Sequence, residues 1–218
     1  MPPKKKVYLI PGLGADERVF QHINLNSFEP IIIQWIRPFK NEPIQDYAKR
    51  LTTQITTPYP VLIGLSFGGM IAIEIAKQIP TEKVILISSA KTKDELPPYF
   101  RWIGITGLHR LVPASYLKTP NPFGNYLFGV KTPSEKTLLA VILRDTDIVF
   151  LKWAMDQIIH WENNTTIPGL VHIHGTNDKL LPARFIIPNF WVKGGGHLMV
   201  LNAGEQINKL IKGIIENQ

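Results

Sequence analysis

The stretch VLIGLSFGGMIAIEIAKQIP, Val61 to Pro80, decides how this chain folds. A run of strand-forming apolar residues stops at Gly64, and a helical apolar pattern starts immediately after Ser66. Between them stands GLSFG, Gly64-Leu65-Ser66-Phe67-Gly68, which fits G-x-S-x-G. Glycines on either side let the backbone turn sharply without side-chain clashes. Such a turn lifts the Ser66 hydroxyl and leaves the Phe67 N–H at a helix N-terminus, where unpaired donors and the helix dipole favour an anion. The competing reading is a tight glycine turn in a ligand-binding α/β protein. The strand before and the helix after the motif favour the nucleophile reading.

Outward from this turn the chain alternates. Short Val- and Ile-rich runs appear at 7–12, 31–35, 61–66, 84–90, 171–175 and 190–195. They scarcely alternate in polarity, as expected of parallel strands covered on both faces. Helical patterns fall between them, over 44–56, 67–79 and 204–215. The expectation is an α/β fold: a mostly parallel sheet of about six strands with helices on both faces.

The rhythm breaks from Lys91 to Ile167, which carries no buried-strand pattern. Two helices are predicted there, in PSEKTLLAVILRDTD with Ser134 as N-cap and in IVFLKWAMDQIIHW. Prolines 113, 120 and 122 read as loop markers. The predicted organisation is a core of residues 1–90 and 168–218 with a helical lid, 91–167, inserted in it. The aromatics of the insertion fit either an apolar pocket or the packing of helices on the core.

Composition sets bounds. The 218 residues suffice for one core with an insertion. There is no cysteine, which removes disulfides, thiolate metal sites and cysteine nucleophiles. Twenty-four Lys+Arg against 17 Asp+Glu give a net charge of +7, a mild bias toward anionic partners. The basic residues are scattered, apart from Lys4-Lys5-Lys6, which reads as a solvated tail. No basic stripe interleaved with aromatics suggests nucleic-acid binding. No apolar run has transmembrane length, and no signal peptide is apparent, so the expected location is cytoplasmic. Oligomeric state is left open.

A serine hydroxyl needs a base and donors for the oxyanion it generates. Of six histidines, His22, His109 and His160 have no special sequence neighbours, and His172 and His174 fall on a predicted strand. His197 follows a strand and three glycines, in FWVKGGGHLMV, and is the leading base. Asp178, in HGTNDKLLP at the end of a strand, is the group expected to orient it, with Asp94 as the alternative. The order Ser66, Asp178, His197 is the expected one. IPGLGAD, Ile10 to Asp16, follows the first strand and offers a second backbone donor at Leu13. It lacks the third glycine of a dinucleotide fingerprint and the lysine of a P-loop.

At these residues the chain resembles the α/β-hydrolase family, over nearly its whole length. The resemblance implies Ser66 as nucleophile, His197 as general base and acid, Asp178 as orienting acid, and the Leu13 and Phe67 N–H groups as the oxyanion hole. It implies no cofactor and no metal, and a small-molecule acyl substrate. Two features depart from the family. Pro11-Gly12 stands where His-Gly is common, so a side chain that often braces the loop is absent. Only 19 positions separate Asp178 from His197, room for about one helical turn. The expected reaction is hydrolysis of an acyl bond, first a carboxylic ester. Thioester, lactone or carbon–carbon cleavage beside a carbonyl would use the same residues. A non-catalytic binder on this scaffold and a nucleotide-dependent enzyme are the readings of other classes.

Overall fold

Strands form where apolar residues can be buried on both sides of a sheet, and here they do. The computed structural model describes residues 4–216, with only the backbone at 114 and 115. Six strands make one all-parallel sheet: β1 (Lys6–Ile10), β2 (Glu29–Ile32), β3 (Val61–Leu65), β4 (Lys83–Ile87), β5 (Val171–Gly175) and β6 (Phe190–Val192). Their order is β2-β1-β3-β4-β5-β6. The chain leaves β1 for the β2 edge, then returns to lay β3 on the other side of β1. That reversal opens a crevice at the carboxyl ends of β1 and β3, where ligands bind in open sheets.

Successive strand residues feed opposite faces. Tyr8, Ile10, Leu62, Val84 and Leu86 pack with α1 (Ile44–Leu51) and α2 (Phe67–Ala76). Val7, Leu9, Ile63, Leu65 and Ile87 pack with α8 (Gly204–Glu216) through Ile207, Ile211 and Ile215. On the central strands β1, β3, β4 and β5 nearly every residue is buried, which is why their runs show no polar alternation, while the edge strands β2 and β6 are partly exposed. Helix α1 buries Ile44, Tyr47, Ala48 and Leu51 as one stripe. Full burial of Ile44 or Leu51 contributes about 1.5–3 kcal/mol each. Phe67 to Ile75 of α2 is buried all round.

Between β4 and β5 the chain forms helices joined by turns and loops, with no strand: α3 (Pro98–Thr106), α4 (Ala114–Lys118), α5 (Pro122–Phe128), α6 (Pro133–Asp145) and α7 (Ile148–Ile159). The two helices predicted from the sequence are α6 and α7. Pro98 and Pro122 sit in the first turns of α3 and α5, and Pro113 caps α4. Proline suits a first helical position because its missing N–H would be unpaired there anyway. Of the prolines read as loop markers, Pro122 opens a helix and Pro113 caps one, while Pro120 lies in the loop between α4 and α5. The N-cap of α6 is Thr132, not Ser134: its hydroxyl accepts from Glu135 N–H, and the Glu135 carboxylate accepts from the Thr132 N–H in return. The tri-lysine is also no free tail, since Lys6 begins β1 and Lys5 pairs with Glu82 at 2.7 Å. No helix among the described residues is long and apolar enough to cross a membrane.

Candidate active site

The turn after β3 forces its serine into a rare conformation. Ser66 has φ 52° and ψ −120°, a left-handed φ in a residue with a Cβ. Such backbone costs on the order of 1–3 kcal/mol and persists only where its surroundings over-determine it. Here they do. The Ser66 N–H donates to the Ile87 carbonyl at 2.9 Å, and the Ser66 carbonyl accepts from Ser89 Oγ at 2.7 Å and Gly69 N at 2.9 Å. Gly68 is required by close approach. A Cβ on it would lie 2.2 Å from the carbonyl oxygens of both Ile10 and Pro11. The motif thus presses the start of α2 against the end of β1.

His197 arrives on the loop after β6. A Cβ on Gly195 would meet the Met199 sulfur at 2.9 Å and the Gly175 Cα at 3.2 Å, so the loop lies against the end of β5. The imidazole is 1% exposed. Its Nε2 is 2.8 Å from Ser66 Oγ, and its Nδ1 is 2.8 Å from Asp178 Oδ2. An ionised carboxylate only accepts, so Nδ1 carries the proton toward Asp178 and Nε2 is left to accept from the serine hydroxyl.

Asp178 follows β5. Its Oδ1 accepts from the Leu180 and Leu181 N–H groups at 2.9 Å each. Burial by itself would raise this carboxyl. The charge and hydrogen bond of His197, the Leu181 N–H and His174 outweigh it, and Asp178 titrates below the ordinary 3.8. Asp94, the alternative acid, is exposed in the 3-10 turn Lys93–Glu95, while His197 is bonded to Asp178. The segment between Asp178 and His197 holds one 3-10 turn, Ala183–Phe185, as its shortness predicts.

Three residues that the sequence did not single out hold these parts in place. Trp35 Nε1 donates to the Ala15 carbonyl at 2.9 Å, and Thr146 Oγ1 donates to the Gly14 carbonyl at 2.8 Å. Together they brace loop 12–16 in the absence of the family's histidine. His174 Nε2 donates to the Leu181 carbonyl at 2.9 Å and lies 3.6 Å from Asp178 Oδ2. It therefore steadies the loop that carries the acid. Burial, more than any neighbour, holds its imidazole below the ordinary range. Among the described residues the Leu13 and Phe67 N–H groups have no hydrogen-bond partner.

Ser66, His197, Leu13 and Phe67 border one cavity of about 340 Å³. Its walls are mostly Leu, Ile, Met and Phe, including Met70, Phe100, Leu151 and Met155. No Asp, Glu, Lys or Arg is among its lining residues. An anionic substrate, which the net positive charge mildly favours, would therefore find no cationic side chain in the cavity wall. The arrangement is an alcohol, an imidazole and a carboxylate joined in one hydrogen-bonded chain at the edge of an apolar chamber.

A family model described as "Alpha/beta hydrolase family" matches residues 7–210. A search of curated proteins finds no match. Solved structures of similar fold include an esterase from Exiguobacterium antarcticum, with 16% identity, a TM-score of 0.75, and 99% of this chain and 94% of that one covered. A lipase-esterase related protein from Clostridium acetobutylicum has 17% identity and a TM-score of 0.69, covering 98% of this chain and 95% of that one. A bromoperoxidase from Bacillus anthracis has 17% identity and a TM-score of 0.68, covering 98% and 92%. At these identities the structural likeness speaks for the fold.

Proposed function

We propose that this chain, an enzyme of the alpha/beta hydrolase family, hydrolyses carboxylic esters of uncharged, apolar acyl groups through an acyl-enzyme on Ser66. The observation that carries this reading is the pair of 2.8 Å contacts linking Ser66 Oγ, His197 and Asp178 beside a cavity without charged side chains.

The Ser66 hydroxyl attacks the ester carbonyl, and its proton passes to His197 Nε2 as the new C–O bond forms. Asp178 keeps the other ring proton on Nδ1 and stabilises the imidazolium. The tetrahedral oxyanion accepts from the Leu13 and Phe67 N–H groups, the latter at the N-terminus of α2. On collapse His197 protonates the departing alcohol. Water then gives its proton to the same nitrogen, attacks the acyl carbon, and releases the acid and Ser66. Residues 91–167 act as the lid over the core of 1–90 and 168–218, and the walls that α5 to α7 lend to the cavity support that role.

A series of para-nitrophenyl esters tests this. The value of kcat/KM rises with acyl length until the chamber is filled, and Ser66→Ala lowers kcat by about 10⁶ with the fold intact by circular dichroism. No hydrolysis of any ester, or activity that survives in Ser66→Ala, refutes the reading.

A further inference from the structure

The helical segment 91–167 holds a second cluster of polar side chains, outside the cavity. His109 and His160, which have no special neighbours in the sequence, meet at Asp156. Gly107 ends α3 in a left-handed conformation, φ 66°, and turns the chain into the 3-10 turn Leu108–Leu111. That turn carries His109 back toward α7. Asp156 lies in α7, and His160 caps it one turn later, so both side chains share a face.

We propose that His109, Asp156 and His160 bind one divalent transition-metal ion of the zinc class. His109 Nε2 is 3.0 Å from Asp156 Oδ1, and His160 Nδ1 is 3.6 Å from the same oxygen. One ligand atom from each residue lies within 4.8 Å of the others. In a tetrahedral zinc site with bonds of about 2.0–2.1 Å, neighbouring ligand atoms are about 3.3 Å apart. The cluster is thus near the required spacing before any ion enters. Two borderline imidazoles beside one hard carboxylate suit zinc and its neighbours better than magnesium or calcium, which prefer all-oxygen sites. Three protein ligands leave a fourth position for water.

Ligand exchange is local. His109 Nε2 now donates to the carboxylate, and His160 Nδ1 donates to the Asp156 carbonyl at 2.9 Å. Each neutral ring moves its proton to the other nitrogen and offers the freed lone pair to the ion. His109 Nδ1 has no hydrogen-bond partner among the described residues, so nothing is broken there. Arg110 now covers the carboxylate, with Nη2 at 2.9 Å and Nε at 3.2 Å from Asp156 Oδ1. Its side chain is 67% exposed and can swing into solvent. The ion replaces that cation and ties the turn to α7, whose Met155 and Ile159 wall the chamber alongside Phe100 of α3.

The test uses the full chain freed of metal with EDTA, with melting temperature read in Zn²⁺ or Mg²⁺. With Zn²⁺ at about 100 times Kd the wild type gains roughly 5–10 °C, and Mg²⁺ gives none. His160→Ala, at an exposed position, removes the gain. Arg110→Ala enlarges it, because a competing cation is gone. Co²⁺ in place of Zn²⁺ gives a visible ligand-field absorption that His160→Ala abolishes. No Zn²⁺-dependent gain in the wild type, or an equal gain in His160→Ala, overturns the proposal.

Discussion

Ser66 stores backbone strain directly beneath its hydroxyl, and the restraints on that strain come from the end of β4, the residues just after it and the first turn of α2. Its N–H is bound by the end of β4, and its carbonyl by Ser89. In the proposed mechanism this backbone aims the hydroxyl, and Asp178 sets the tautomer of His197. Asp178→Asn keeps the shape but favours the wrong tautomer, and kcat is expected to fall by about 10⁴ with the melting temperature little changed. Loss of folding instead would contradict a purely orienting role. That Ser66, Asp178 and His197 would come together was legible in local chemistry: turns at strand ends, two of them beside glycines, in a fixed chain order. Trp35, Thr146 and His174 were not. Their bonds to Ala15, Gly14 and Leu181 depend on where distant segments settle, and no short motif records that.

At the scale of elements, the junction of β1, β3 and α2 sets the site's precision. Gly68 allows α2 to begin against the Ile10 and Pro11 carbonyls, which fixes the Phe67 N–H relative to Leu13. Gly68→Ala places a methyl on two oxygens that cannot withdraw without moving β1. A loss of more than about 3 kcal/mol is expected, measured as a lower urea midpoint, with activity falling in step. An unchanged midpoint would mean the junction is looser than described. The strands were legible because burial on both faces writes an uninterrupted apolar run. Helices α3 to α5 were obscured because first-turn prolines also signal loops. The aromatics of this region divide: Phe100, Tyr116 and Phe128 line the cavity, Phe150 and Trp161 are buried in the core, and Trp102 and Phe123 are exposed. Composition alone could not sort them.

At the scale of the whole molecule, buried titrating groups shape stability against pH. Burial first, then His174 and Lys91, hold the His172 imidazole well below its ordinary value. Below about pH 6.5 the unfolded chain takes up a proton there that the folded chain refuses. Stability therefore falls as pH drops through that range. Asp178 acts lower: its depressed carboxyl contributes stability above about pH 3.9, lost as pH falls through the folded value. The urea midpoint is expected to decline from pH 7.5 to pH 5.5, and less steeply in His172→Leu. Equal slopes would remove His172 from the account. The claim on which the function rests is that His197 makes Ser66 a nucleophile. Its most direct measurement is labelling of the full chain by a fluorophosphonate, read by intact mass and peptide mapping. One adduct is expected, on Ser66, absent in Ser66→Ala and formed far more slowly in His197→Ala. An unlabelled wild type, or an adduct that forms equally well without Ser66 or His197, would contradict it.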